Sequence, residues 1–393
     1  MKKILWLASW YPDRLEPLSG DFIERHARSA SLVNDITVIH VVKDHLNKTP
    51  SRQSIDSIEY HPHLTAIVGY YKSTSWLGPL SGLLSTARFF ILQKKLIDQF
   101  IRQNGKPDLI NVHISFKAGM GALYCKWRYK LPYVVSEQWT IFCPEASPNY
   151  NDQSFVAKRL MKMIYKKSAA CSAVSNYLAT ALVQKFQIKL PIRIPNVVNR
   201  QIFYPSYEKK PLFTFVHVSV LNYQKSPYDI IEAVRLAHEK SAVPFRFIIY
   251  GPYLEAIYER ISENNLGEIV DYRTEVMQDE LAEEVRKCHS LVLYSRFETF
   301  GCVVIEAMAA GLPVIVSDIP VMREIVDEGI TGTFAPVGQP SILAEKMLWM
   351  MSNHHLFNEK ALSAASESYS YERVGKMFDE LYEQPFRVSM RIA

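Results

Sequence analysis

The sequence predicts an α/β protein built from two doubly wound, parallel-sheet domains that face a central cleft. Short apolar runs alternate with helical patterns from end to end of the 393 residues, as expected for consecutive βαβ units. The alternation breaks at IPNVVNRQIFYPSYEKKP, a proline-punctuated polar segment near 195–211 that reads as a linker, and then restarts. A chain of this length is enough for two or three domains, each with a sizeable core. Two such domains would bring two sets of strand ends to one cleft, which suits a reaction between two substrates. The expected division is 1–200, 201–370, and a C-terminal helix at 371–393 able to pack back on the first domain.

The first strand is ILWLAS, 4–9. The start MKKILWLASWYP imitates a secretory leader, with two lysines before an apolar run. That run is shorter than a leader's apolar region, however, and Trp10-Tyr11-Pro12 offers no small-residue cleavage site. Further strands are expected at 36–42, 109–114, 133–137 and 171–175, with helices at about 20–33, 85–103, 116–128, 154–168 and 176–186. After the linker, strands follow at 213–220, 245–251, 270–273, 290–295 and 313–317, and the chain from about 341 is helical. The longest apolar stretches fall short of a bilayer span.

Composition is that of an ordinary globular protein, with 48% hydrophobic and 22% charged residues. The five cysteines are scattered, without a CxxC pair or a neighbouring histidine cluster, which points away from disulfides and zinc and towards a reducing cytoplasm. GxGxxG is absent (GMGALY at 119–124 lacks the third glycine), as are GxxxxGK[ST], GxSxG and HExxH. A nicotinamide or flavin enzyme and a P-loop ATPase are thereby disfavoured. No Asp-x-Asp pair is present to hold a divalent cation on a diphosphate, so protein donors would have to neutralise one. Lys225, just after the first strand of the second half, is placed for that, although a surface lysine is the plain alternative.

The most informative stretch is RFETFGCVVIEAMAAGLPVIVSD, 296–318, where an apolar helix carries one glutamate, Glu306. Glutamate is rarely buried without a partner. The segment reads as a strand–helix–strand unit, so Glu298 lies in the loop at the carboxyl edge, where ligands collect. The amides of Phe300, Gly301 and Cys302 would open the helix and are suited to an anion. Glu306 suits a ribose diol; the alternative is a core carboxylate paired with Arg or Lys. In the first half His113 interrupts an apolar strand, and Glu137, Gln138 and Trp139 follow another. A carboxylate, an amide and an aromatic ring together suit a sugar. A core histidine and a tryptophan-anchored loop are the plain readings of those two features.

Together these residues resemble the retaining glycosyltransferases of the GT-B fold, with two Rossmann-like domains, the large family that includes bacterial mannosyl- and N-acetylglucosaminyltransferases. The specific element is E-x7-E, Glu298 to Glu306, within SRFETFG…EAMAAGLPV, supported by VSNYL (174–178), IPNVVN (194–199), Leu221 to Lys225 and YSYERV (369–374). The resemblance implies that Glu298 holds hydroxyls of the donor sugar and Glu306 the ribose. It also implies that the amides near Phe300 and Gly301, with Lys225, hold the diphosphate, and that loops near Gly251 and from Arg273 to Val276 meet the base. PLSGDFIERHA stands for the family's glycine-rich loop, with Gly20 at the helix start. Two departures stand out. Ser219-Val220-Leu221 replaces the usual Gly-Arg-Leu, and Gln138 occupies the place of the family histidine, leaving Glu137, with His113, as candidates for the acceptor side.

The implied activity is transfer of a hexosyl unit from a UDP- or GDP-sugar to a glycan or lipid-linked acceptor, without metal, cofactor or nucleic acid, in bacterial surface polysaccharide synthesis. A sugar-nucleotide epimerase or phosphorylase-like enzyme of the same fold, and a catalytically silent GT-B subunit, are the rival readings. Residues 153–207 contain no Asp or Glu but nine Lys and Arg, although the whole chain is only +5. Lys158, Lys162 and Lys166 recur at helical spacing there. A solvated helix face is the plain reading; contact with an anionic cytoplasmic leaflet is the functional one.

Overall fold

The computed structural model describes residues 1–45, 48, 53–72 and 81–389. The chain divides into two compact units, one of Met1–Phe142, Pro148–Val197 and Tyr371–Ala393, the other of Cys143–Ser147 and Val198–Ser370.

The first unit is an eight-stranded sheet. Its strands are β1 (Lys3–Ala8), β2 (Asp35–Asp44), β3 (Gln53–His61), β4 (Leu64–Lys72), β5 (Leu109–His113), β6 (Tyr133–Glu137), β7 (Ala170–Ala173) and β8 (Ile192–Arg193). They lie in the order β3-β4-β2-β1-β5-β6-β7-β8, parallel except for the β3–β4 hairpin. Helices α1 (Asp21–Ala30), α2 (Ser81–Asn104), α3 (Ala118–Tyr129), α4 (Phe155–Lys167) and α5 (Asn176–Phe186) make the crossovers. Central strands buried on both faces read as continuous apolar runs, and β1, β5 and β6 do. The hairpin does not: QSIDSIEYH in β3 is largely exposed and polar, an edge strand with no apolar run to announce it.

The second unit is a six-stranded parallel sheet. Its strands are β9 (Phe213–Val218), β10 (Phe245–Tyr250), β11 (Val270–Arg273), β12 (Ser290–Leu293), β13 (Val314–Ser317) and β14 (Gly332–Ala335), in the order β11-β10-β9-β12-β13-β14. Order reverses beside β9, which creates the switch point where ligands of such sheets collect. Its helices are α6 (Pro227–Lys240), α7 (Glu255–Glu263), α8 (Gln278–Lys287), α9 (Cys302–Ala309), α10 (Pro340–Asn353) and α11 (Glu359–Ala365).

One further helix, α12 (Tyr371–Ser389), belongs to the first unit. Val374, Phe378, Leu381 and Tyr382 of α12 join Trp6, Ile23 and Ala27 in one buried cluster. Gly375 lets α12 approach α1, since a Cβ there would come within 2.4 Å of the Ser29 carbonyl. Asn111 Nδ2 donates to the Tyr382 hydroxyl at 3.0 Å, which satisfies a polar pair inside that core.

Candidate active site

In the second unit the candidate residues gather at the carboxyl ends of β9 and β12. Glu298 is buried and meets three side-chain donors. Lys225 Nζ forms a close ion pair with Oε1, Ser295 Oγ donates to Oε1 at 2.8 Å, and Gln224 Nε2 donates to Oε2 at 3.1 Å. Cys143 Sγ points at the Glu298 carbonyl from 3.8 Å. Gly301 precedes α9 with φ 98, a conformation that favours glycine, and a Cβ there would lie 2.7 Å from Met322 Cε. Among the described residues, neither the Phe300 nor the Gly301 N–H meets a protein acceptor, which leaves two backbone donors without a protein partner at a helix start. Cys302 is the first residue of that helix. Glu306, one turn further on and also buried, accepts from Gln278 Nε2 at 3.4 Å. One of its neighbours is therefore a neutral amide from α8.

The loop after β9 is held by a relay. The Leu221 N–H donates to Ser219 Oγ at 3.1 Å, that hydroxyl donates to His217 Nε2 at 2.7 Å, and Nδ1–H donates to the Val292 carbonyl at 2.8 Å. Burial, with the Lys225 charge in addition, lowers His217 to about 4, so the neutral tautomer that the relay requires is the stable one. Ser219 thus serves the loop that carries Lys225. Gly251 is a close-approach glycine: a Cβ would sit 2.4 Å from the Ser219 carbonyl. The Arg273 guanidinium is already committed, to Asp271 at 2.6 Å, Tyr250 at 2.8 Å and Glu284 at 2.7 Å, so it shapes its loop and is not held ready for a base. Val276 is half-buried in the loop before α8.

The first unit has its own cluster at the carboxyl edge. Gly20 opens α1 at φ 72, where a Cβ would strike the Tyr11 nitrogen at 2.6 Å. Glu137 is buried and saturated. It accepts from the backbone N–H groups of Ser115 (3.0 Å), Gln138 (2.9 Å) and Trp139 (3.0 Å), and from the Tyr165 hydroxyl (2.5 Å). Four protein donors already occupy both of its oxygens, so Glu137 positions the loop, contrary to its expected part in acceptor activation. His113 is fully buried, stacked on Trp6 with ring centroids 3.8 Å apart, and burial pushes its pKa well below the usual value. It is a core histidine, and its expected catalytic part is corrected accordingly. Gln138 Nε2 donates to His26 Nδ1 at 3.1 Å, and His26 Nε2–H donates to the Pro195 carbonyl at 2.9 Å. Burial lowers His26 to about 4, which keeps it neutral.

Sequence reasoning missed Gln224, Ser295, Gln278, His26 and Tyr165. Gln224, Gln278, His26 and Tyr165 become partners only through tertiary contact, and Ser295 through the loop it shares with Glu298; none gives a local signal at its own position. Arg296 was missed as well; its N–H donates to the Gln224 carbonyl at 2.7 Å and its guanidinium pairs with Asp229 at 2.9 Å, which fixes the lysine loop from the other side.

Two Rossmann-like parallel sheets, one with a glutamate–lysine pair beside an open helix start at its switch point, define a protein of the GT-B class. Two family models match, Glycosyltransferase Family 4 over 50–201 and Glycosyl transferases group 1 over 200–369, and the chain belongs to the group 1 glycosyltransferase family. It is 28% identical over 299 residues to the uncharacterized glycosyltransferase MJ1178 of Methanocaldococcus jannaschii, covering 74% of this chain and 81% of that one. With the O-antigen chain mannosyltransferase RfbU of Salmonella typhimurium it shares 28% identity over 227 residues, 56% of this chain and 62% of that relative's length. Among solved structures, Anabaena HepE in complex with UDP-glucose has the same fold, with a TM-score of 0.72 at 18% identity, covering 97% of this chain and 99% of that one.

Proposed function

We propose that this glycosyltransferase is a retaining, metal-independent hexosyltransferase. It would move a hexosyl unit from a UDP- or GDP-sugar to a glycan or lipid-linked acceptor in bacterial surface polysaccharide synthesis. The observation that carries the reading is the Glu298–Lys225 pair beside the open amides of Phe300 and Gly301. A donor diphosphate seated on those amides would draw Lys225 towards itself and release one Glu298 oxygen for the sugar hydroxyls. Glu306 would hold the ribose. The bond from the anomeric carbon to phosphate breaks, and the acceptor oxygen bonds on the same face. The departing diphosphate takes the acceptor's proton, so no base is needed where Glu137 is saturated. The complex of HepE with UDP-glucose and the mannosyl activity in RfbU's name support a nucleotide-sugar donor and a polysaccharide product.

Calorimetric titration with UDP and GDP tests the donor half. Glu306→Ala should weaken the nucleotide that binds by about 1.5–3 kcal/mol, the range for a lost charge-assisted hydrogen bond. Unchanged affinity would remove the ribose assignment. Activity should also survive EDTA, and strict dependence on added magnesium or manganese would overturn the metal-independent mechanism.

The same reading places the enzyme on the inner face of a membrane. No helix among the described residues is long and apolar enough to cross one, so attachment would be peripheral, through α4. Its Phe155 and Val156 are 74% and 73% exposed beside the exposed bases Arg159, Lys162 and Lys166.

A further inference from the structure

At the carboxyl edge of the first unit, four partly exposed aromatic rings come from four different places in the chain. Trp10 follows β1, Phe22 opens α1, Phe116 follows β5 and Trp139 follows β6. Trp10 meets Phe22 and Trp139 edge-on, with centroids 6.4 and 5.9 Å apart, and Trp139 lies nearly parallel to Phe116 at 6.2 Å. The platform is stiffly held. Glu137 binds the Trp139 amide, and Ser9 Oγ donates to the carbonyls of Ile114 (2.9 Å) and Phe116 (2.6 Å). Aromatic faces so presented suit the apolar face of a pyranose ring.

Beside the platform stand two lysines. Lys117 follows Phe116 directly, at the centre of a tight turn with φ 64 and ψ −61, closed by the Ala118 N–H on the Phe116 carbonyl at 3.0 Å. This three-residue turn is the rare, strained form, and Ile114 three residues earlier also has a positive φ of 64. Lys43 lies near the end of β2, which runs past the end of its neighbour β1 towards the same edge. Neither lysine has an ion-pair or hydrogen-bond partner among the described residues. Burial lowers the Lys117 pKa, the Lys43 charge lowers it further, and no carboxylate offsets either effect. Two cations at one edge without an acid, Lys117 on a backbone held in a costly conformation, are arranged for an oxyanion that the protein does not itself supply.

We infer that this edge is the acceptor subsite for an anionic sugar, whose ring stacks on Trp139 and its neighbours while a phosphate or carboxylate next to the ring binds Lys43 and Lys117. The inference rests on the glycosyltransferase reading and narrows its acceptor from any glycan to one bearing an oxyanion. A glycosyl phosphate and a uronic acid share that chemistry.

Tryptophan fluorescence can follow binding of glucose 1-phosphate, methyl glucuronide and methyl glucoside, with the donor site saturated by whichever of UDP or GDP binds. The charged sugars should bind about tenfold or more tighter than the neutral one, the scale of one charge-assisted hydrogen bond. Preference for the phosphate over the glucuronide would identify a phosphorylated acceptor, and the reverse a uronate. The double variant K43Q/K117Q should lose the preference for charge, and Trp139→Ala should weaken all three sugars. Nucleoside diphosphate affinity, read separately in the same variants, should stay unchanged, and urea unfolding of each variant reports whether the first unit is folded. Equal binding of charged and neutral sugars, binding of none, or a preference that survives K43Q/K117Q would overturn the inference. The Glu306→Ala titration fails or succeeds independently, so loss of the acceptor subsite would leave the donor reading standing.

Discussion

Glu137 and Glu298 are both buried and both rich in donors, but the donors differ in kind. Three of the four on Glu137 are backbone N–H groups that cannot leave, whereas those on Glu298 are the side chains of Lys225, Gln224 and Ser295. Fixed partners make a structural carboxylate; movable ones make a carboxylate able to exchange them for substrate hydroxyls. Glu298→Ala should therefore chiefly lower kcat, because the sugar is where charge develops. A steady-state assay in which only KM changed would contradict that. Glu137→Gln should instead lower stability, by about 1–3 kcal/mol for each backbone donor left facing an amide NH2 group, as read from urea unfolding. The sequence made Glu306 stand out, because a charge inside an apolar helix is anomalous at its own position, and Glu298 through its place in the loop before that helix. It could not separate His113 from a catalytic histidine, since the stacking of Trp6 that makes it a core residue arrives from another strand.

Buried central strands were mostly legible, whereas β4 and the short buried β14 (GTFA) were not expected from the sequence. The central strands β1, β5, β6, β9, β10, β12 and β13 are largely apolar and announce themselves as runs. The β3–β4 hairpin did not, because its outer strand alternates polar residues at the edge of the sheet. For α4 both the basic spacing and the helix were legible, but which apolar residues remain outside was not. Ala157, Met161, Ile164 and Tyr165 turn inward, leaving Phe155, Val156 and Met163 exposed with the bases. If that face meets lipid, the protein should sediment with anionic vesicles and not with neutral ones, and the binding should fade as salt rises. Phe155→Ser together with Lys162→Glu should abolish it. Equal binding to neutral vesicles, or none to anionic ones at low salt, would end the membrane reading.

At the scale of the molecule, acid should destabilise both units. Burial lowers His26 and His40 in the first unit and His217 in the second to about 4, against about 6.5 in an unfolded chain. Between those values the unfolded chain takes up protons that the folded one refuses, so stability is full above about 6.5 and falls as pH drops towards 4. Each histidine contributes on the order of 2–3 kcal/mol to that loss. Denaturant unfolding at pH 7 and pH 5 checks it; equal free energies at the two would contradict the neutral, enclosed histidines.

The placement of α12 bears on how the protein is made. Its Val374, Phe378, Leu381 and Tyr382 complete the core around Trp6 and Ile23, yet Val198–Ser370 comes between them in the chain. A ribosome delivers residues in order, so the first unit must wait, with α1 and part of β1 uncovered, while the whole of the second is synthesised. The second unit would then be the first to reach its finished state. Nascent chains arrested just after residue 370 should be protease-resistant over 198–370 and still cut within 1–142, and adding the α12 peptide in trans should protect the early segment.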